Sequence, residues 1–115
     1  MIRKKGTTRI VFLIGQYAVK LPNHAYCHQH FLHGCYGNWV ERNYCKMFKD
    51  LPLGDMVAPS IFCSWFGLVQ IQKRCEPLRR NLTIKEEKAF KDICNDMKAE
   101  NFGIYEGRLV CLDYV

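Results

Sequence analysis

The chain has 115 residues, of which 49% are apolar and 24% charged, and its formal net charge is +6. This length supports one globular domain rather than two, and the composition is that of a folded protein rather than a disordered or fibrous one. No apolar run approaches the roughly 18 residues that a membrane-spanning helix requires. We therefore expect a single domain over residues 1–115 and no membrane partner.

The N-terminus and the cysteines indicate a cytoplasmic protein. The first five residues lack the longer apolar region and the cleavage site of a secretory signal. The seven cysteines show no paired framework, which favours reduced thiols in a reducing compartment. The basic residues are spread along the chain rather than interleaved with aromatic residues on one face, so we do not expect nucleic acid as a partner.

The first half of the chain predicts a hairpin followed by a helix. Residues 9–14 and 17–21 are rich in β-branched and aromatic residues and flank a Gly-Gln turn, so we expect two antiparallel strands. Residues 24–37 lack periodicity and predict an irregular loop. From Asn38 to about residue 50, apolar residues recur at helical spacing, which predicts a helix.

The second half predicts more strands and a second helix. Residues 61–66 and 68–73 form two strand-like runs around Gly67, which predict a second hairpin. The sequence 83–86, Thr-Ile-Lys-Glu, is a capping box that opens a helix. An apolar stripe, which consists of Phe90, Ile93, Cys94 and Met97, predicts that this helix continues to Met97. A last hairpin is expected over residues 104–112.

Five polar residues are spaced along the chain in the order of a known set of motifs. They are Lys20, Glu41, Asp96, Asn101 and Asp113. The segment 96–101, Asp-Met-Lys-Ala-Glu-Asn, resembles the Asp-Leu-Lys-Pro-Glu-Asn catalytic loop of protein kinases, and Asp113 stands where that family has its metal-binding Asp. Residues 17–20, Tyr-Ala-Val-Lys, resemble the family's Val-Ala-Ile-Lys strand, and Glu41 lies in the helix predicted to follow. The chain is similar to the small kinase-like proteins of bacteria and phages.

The resemblance implies a fold and an activity. We expect an α+β, protein-kinase-like fold, with an antiparallel N-lobe sheet and one long helix over residues 1–74. A strongly reduced C-lobe, with one helix and the catalytic-loop hairpin, is expected over residues 75–115. The implied cofactors are ATP and Mg²⁺, and the implied activity is phosphotransfer.

The resemblance also assigns roles to individual residues. Lys20 would contact the α- and β-phosphates of ATP and be oriented by Glu41. Asn101 and Asp113 would hold Mg²⁺, because hard oxygen ligands suit that ion. Asp96 would orient or deprotonate the acceptor hydroxyl, and Lys98 would contact the γ-phosphate. The strand 68–71 would line the adenine pocket, with residues 72–74 as the hinge.

The chain departs from the family at several positions. Gly6 is the only residue that represents the Gly-rich loop, Cys94-Asn95 replaces the family's His-Arg, and Tyr114-Val115 replaces its Phe-Gly. The sequence ends two residues after Asp113, where an activation segment and a helical second lobe would follow. We therefore expect a minimal kinase core whose reduced side is covered by another protein or by a second copy.

Two other classes of function stay open from the sequence. An inactive pseudokinase that regulates another protein by binding it would keep the same fold. A small zinc-binding or nucleic-acid-binding protein is the third reading, because imidazole and thiolate are the usual zinc ligands. The residues that suggest zinc are His24, Cys27, His28, His30, His33 and Cys35.

Overall fold

The computed structural model describes residues 2–5, 8–23, 28–49, 52–94 and 97–114, and these form an α+β fold with antiparallel sheets. The α+β prediction is therefore confirmed. The helices are α1 (His28–Met47) and α2 (Ile84–Phe90). The strands are β1 (Ile2–Lys5), β2 (Arg9–Ile14), β3 (Tyr17–Pro22), β4 (Ser60–Cys63), β5 (Gln70–Lys73), β6 (Glu76–Pro77), β7 (Phe102–Tyr105) and β8 (Arg108–Cys111).

The first sheet has five strands in the order β1-β2-β3-β5-β4, all antiparallel to their neighbours. Helix α1 lies between β3 and β4 in the chain and contacts β3, β4 and β5. In strands, alternate side chains point to the same face, so Ala18 and Lys20 share one face of β3. Both are buried. Lys20 pairs with Val11 on β2 and with Gln70 on β5, in the middle of the sheet.

Helix α1 begins ten residues earlier than the sequence predicts, so the prediction of an irregular loop is wrong over the described residues 28–37. The buried side of the helix is made of small and polar residues, and it therefore carries no apolar periodicity. A Cβ at Gly34 would collide with the carbonyl oxygen of Thr8 and with Pro22, so this side packs closely on the sheet. The buried residues of α1 are Gly34, Cys35, Gly37, Asn38 and Glu41.

Strands β4 and β5 form the predicted antiparallel hairpin, but both are shorter than expected. Between them, a 3₁₀ turn over Trp65–Gly67 places Phe66 and Gly67 at positive φ (63° and 68°). These backbone angles are incompatible with extended strand, which explains why the two long strand runs are interrupted.

The second half contains α2 and a three-stranded sheet in the order β6-β7-β8, and it forms an apolar core together with Val57 from the segment before β4. The capping box is confirmed: Glu86 N–H donates to Thr83 Oγ1, and Thr83 N–H donates to a Glu86 carboxylate oxygen. The core consists of Val57, Phe90, Cys94, Phe102, Cys111 and Tyr114, with Ile93 and Met97 packed against it.

Helix α2 ends at Phe90, so the predicted continuation to Met97 is wrong. The amides of Ile93 and Cys94 both donate to the Phe90 carbonyl oxygen, which closes the helix in a turn. The apolar stripe still reaches the core, because the turn returns Cys94 to it. The hairpin predicted over 104–112 is confirmed as β7 and β8, whereas the sequence reasoning did not predict β1 and β6.

The predicted division after residue 74 falls between β5 and β6 and stays a prediction. Within the described ranges, neither helix is both long and apolar enough to cross a membrane.

Candidate functional site

A cleft of about 870 Å³ lies between the first sheet and the β7–β8 half of the chain. This volume is within the range of small-molecule sites. Its sheet side includes Arg9, Val11 and Leu13 from β2, at alternating positions, and Ala18 and Lys20 from β3. The opposite side includes Leu78, Asn101, Phe102, Leu112 and Asp113.

The polar end of the cleft holds the buried Arg9 and Lys20, and the other end holds Leu13 and Ala18 together with Lys73 and Arg74. Arg9 and Lys20 lie towards the start of β2 and the end of β3, whereas Leu13 and Ala18 pair with each other farther along the same two strands. At roughly 3.3 Å per residue, Arg9 and Leu13 are separated by about 13 Å along β2. A ligand with an apolar ring at one end and an anionic group at the other matches this arrangement.

Glu41 is the centre of a buried polar cluster beside the cleft. Its carboxylate is fully buried. One oxygen, Oε1, accepts hydrogen bonds from Arg9 (2.7 Å), Lys20 (2.9 Å), Gln70 (3.0 Å) and Gln72 (3.2 Å). The other, Oε2, accepts from Arg9 (2.8 Å) and from the amide of Tyr114 (3.2 Å). Burial alone would raise the pKa of Glu41, but Lys20 and Arg9 hold that pKa well below its ordinary value, so the group is an anion.

Lys20 joins the two halves of the protein. Its ammonium donates to Glu41 Oε1 and, at 2.7 Å, to the carbonyl oxygen of Leu112. The amide of Leu112 in turn donates to the carbonyl oxygen of Asn101 at 2.8 Å. Burial lowers the pKa of Lys20, and the Glu41 carboxylate opposes that effect. The predicted residues Lys20, Glu41, Asn101 and Asp113 are thus brought together at one end of the cleft.

Arg9 is a site residue that the sequence reasoning missed. Its side chain is 9% exposed and makes a two-pronged ion pair with Glu41. It also donates to Asn38 Oδ1 at 3.2 Å and to the carboxylate of Asp113. Burial disfavours the charge of Arg9, but Glu41 and Asp113 raise its pKa above the ordinary value. Arg9 therefore stays a cation between two carboxylates.

Asn38, Gln70 and Gln72 were also missed, and they hold the cluster in place. Asn38 Nδ2 donates to the carbonyl oxygens of Lys20 (3.1 Å) and Gly67 (2.9 Å), while its Oδ1 accepts from Arg9 and Gln70. The sequence signal that could have identified the two glutamines is their spacing, because Gln70 and Gln72 lie on the same face of β5. Buried polar side chains require hydrogen-bond partners.

The remaining predicted residues lie elsewhere. Asp96 lies outside the described residues. Lys98 is exposed, directly precedes the 3₁₀ turn Ala99–Asn101, and does not line the cleft. The prediction that residues 68–71 line the pocket is wrong: Gln70 points to Glu41 and Leu68 is 43% exposed. Residues 72–74, predicted as the hinge, do line the cleft.

The described residues do not fit a divalent cation as they stand. Asn101 and Asp113 both line the cleft, but the Asp113 carboxylate already accepts a hydrogen bond from Arg9. In the part of the chain that the structure describes, no three His, Cys, Asp or Glu side chains are grouped to hold a metal ion. His24 and Cys27 of the zinc hypothesis lie outside that part, while His28, His30, His33 and Cys35 lie on α1.

Comparison with protein-family models, curated proteins and solved structures finds no match to this chain. The resemblance to protein kinases therefore stays a prediction from the sequence motifs.

Proposed function

We propose that this chain is a protein-kinase-like nucleotide-binding protein that holds ATP in the cleft. The observation that carries the proposal is the buried Lys20–Glu41 ion pair, which lies at the polar end of the cleft beside Asn101 and Asp113. A lysine held by a helix glutamate is the arrangement that the motif resemblance requires for contact with the α- and β-phosphates.

The strand topology supports the same proposal. A five-stranded antiparallel sheet precedes a small second half, and the one long helix lies between the third and fourth strands. In this proposal, the sheet and the helix correspond to the N-lobe that the resemblance implies, and the second half corresponds to a reduced C-lobe. The division near residue 74 and the kinase-like fold are part of the proposal.

The cleft offers complementary chemistry to each part of ATP. Four lining residues are basic and two are acidic. Arg9 and Lys20 lie at the end where the phosphates would bind, whereas Lys73 and Arg74 lie beside Tyr17 and Gly15 at the other end. The other end offers Leu13 and Ala18 to the base. The basic residues are Arg9, Lys20, Lys73 and Arg74, and the acidic residues are Glu100 and Asp113.

In this proposal, Lys20 binds the triphosphate and Glu41 holds the lysine in position. Asn101 faces the triphosphate from the second half. The roles of Asp96 and Lys98 in transfer to an acceptor, and the use of Mg²⁺, stay predictions of the resemblance, and no step here depends on them. We place the protein in the cytoplasm, because its scattered cysteines suit a reducing compartment.

Thermal unfolding with and without ATP, measured once in Mg²⁺ and once in EDTA, tests the proposal. A ligand at about 100 times its dissociation constant adds roughly 2.7 kcal/mol of stability, so the Tm of the wild type should rise. Lys20→Met should abolish the rise, whereas Lys85→Met, a change at an exposed lysine on α2, should keep it. No rise in the wild type at saturating ATP, in Mg²⁺ and in EDTA alike, would overturn the proposal.

A second candidate function, an inactive kinase-like protein that binds another protein, is favoured by two observations. The Arg9–Asp113 pair engages the carboxylate that metal-dependent transfer would need. Large apolar side chains are also exposed on α1 and on the turn after β4, and such surfaces commonly mark interaction sites. They include Leu32 (62%), Tyr36 (62%), Trp65 (80%) and Phe66 (65%). Transfer of label from radiolabelled ATP to general acceptor proteins would exclude the second candidate, because an inactive protein transfers none.

A further inference from the structure

Arg9 occupies the position between the two carboxylates of the site. Its guanidinium donates to both oxygens of Glu41, to Asn38 Oδ1 and to Asp113 Oδ1. Glu41 is fully buried, whereas the Asp113 side chain is 48% exposed and lines the cleft. The arginine is therefore anchored from the buried side and presents its charge to Asp113.

The charges of the cluster balance without any added ion. Two cations, Arg9 and Lys20, face two anions, Glu41 and Asp113, through the ion pairs of Arg9 with both carboxylates and of Lys20 with Glu41. A divalent cation bound to Asp113 would lie next to the guanidinium and be repelled by it. The ion could bind closely only if Arg9 gave up its contact with Asp113.

A triphosphate entering the cleft requires that the negative charge of Asp113 be neutralised. A bound divalent ion provides this neutralisation in a metal-dependent nucleotide site. Here the guanidinium provides it from within the chain, and arginine keeps its charge at every physiological pH.

We propose that Arg9 replaces the divalent cation of this site, so that the cleft binds the metal-free polyphosphate of ATP. This inference rests on the nucleotide-binding function proposed above. It assigns the ligand form, free ATP rather than Mg-ATP, and the residue that determines that preference.

The test compares the dissociation constant of ATP in EDTA and in excess Mg²⁺, measured by isothermal titration calorimetry. For the wild type we expect the constant in EDTA to equal or be lower than the constant in Mg²⁺. Arg9→Met should weaken binding in EDTA by about tenfold or more, and Mg²⁺ should restore part of the loss because Asp113 becomes available. The dissociation constant of ATP for Arg9→Lys should not depend on Mg²⁺, because lysine keeps the positive charge. Arg79→Met, at an exposed arginine that does not line the cleft, is the matched control.

The outcomes separate this inference from the proposed function. Wild-type binding that is about tenfold tighter with Mg²⁺ than in EDTA would overturn the role of Arg9 and leave nucleotide binding intact. No binding under either condition would overturn both. The wild-type comparison needs no variant, so it decides the matter even where Arg9→Met fails to fold. Titration of the nucleotide-free wild type with Mn²⁺, followed by electron paramagnetic resonance, should detect no bound ion, and a stoichiometric bound ion would contradict the inference.

Discussion

The protein contains two arginine–glutamate pairs with nearly the same geometry in opposite surroundings. Arg9 and Glu41 bond at 2.7 and 2.8 Å, and Arg80 and Glu86 bond at 2.7 and 2.9 Å. The Arg9 and Glu41 side chains are 9% and 0% exposed, whereas those of Arg80 and Glu86 are 52% and 23% exposed. Distances alone therefore cannot rank the two pairs.

Their surroundings give the two pairs different consequences. The pair at the start of α2 is surrounded by water and salt, and such pairs contribute little to stability. The pair beneath the cleft has lost its hydration, so removing one partner leaves a buried charge without compensation. The hydrogen-bond geometry is similar in both pairs. Because only the Arg9–Glu41 pair is buried, the stability of the fold depends on that pair.

The largest expected effect is the loss of the buried carboxylate. Glu41→Gln should lower the free energy of unfolding by about 3–5 kcal/mol, because Arg9 and Lys20 lose their shared counter-charge. Glu86→Gln should have a far smaller effect. Urea unfolding followed by circular dichroism measures both, and equal effects would contradict the difference between the two pairs.

The pH dependence of the same variant sharpens the comparison. The folded pKa of Glu41 lies far below the ordinary value of 4.5, so its stabilising contribution is present above pH 4.5 and is lost as the pH falls. The stability difference between wild type and Glu41→Gln should therefore shrink by about 1.4 kcal/mol per pH unit below that value. Urea unfolding at several pH values from 6 to 3 measures this slope, and a constant difference would be the contrary result.

Salt should separate the two pairs. Arg80 and the Thr83 amide hold the pKa of Glu86 at about 2, and 1 M salt, in which the Debye length is about 3 Å, weakens this exposed interaction. The small stability difference caused by Glu86→Gln should shrink further in 1 M NaCl, whereas that caused by Glu41→Gln should persist. Loss of both differences in salt would mean that water reaches the buried cluster.

The backbone beneath the buried cluster should be sensitive to a single methyl group. Gly67 has a φ of +68°, and a Cβ there would collide with the Cys35 carbonyl oxygen; Gly107 has a φ of +79° and open space around it. Gly107→Ala should cost about 1–2 kcal/mol. Gly67→Ala should cost about 1–3 kcal/mol more, because crowding adds to the backbone strain. Thermal unfolding compares the two variants, and equal losses would contradict the close packing beneath Asn38.

The smallest effects are expected at the start of α2. Thr83→Ala should lower the free energy of unfolding by about 1 kcal/mol through loss of the helix cap. Arg80→Ala should leave the Tm unchanged within error. Differential scanning calorimetry measures both, and a larger effect of Arg80→Ala than of Thr83→Ala would show that the exposed pair, and not the cap, fixes this end.

Sequence reasoning succeeded where the signal is local. The capping box at Thr83 needs only four residues to be recognised, and the hairpin around Glu106 and Gly107 needs only a turn between two apolar runs. Both are present as predicted. The start of α1 was missed because its buried face holds glycines, Asn38 and Glu41, whose burial depends on partners far along the chain.

The residues of the candidate site also differ in whether a local sequence signal could identify them. Lys20, Glu41, Asn101 and Asp113 could be singled out because a resemblance links their order to one chemistry, and the structure brings them together. Arg9 could not, because its partners are 32 and 104 residues away and no motif describes a cation inserted between them. Asp96, outside the described residues, stays a prediction.

The most direct test of the proposed nucleotide site is covalent labelling with an acyl phosphate of ATP, which transfers its acyl group to an amine beside the phosphates. Mass spectrometry of the labelled wild type should find the acyl group mainly on Lys20, and excess free ATP should prevent it. Labelling confined to exposed lysines such as Lys85 and Lys98, with no protection by ATP, would contradict the proposal that this cleft holds the triphosphate.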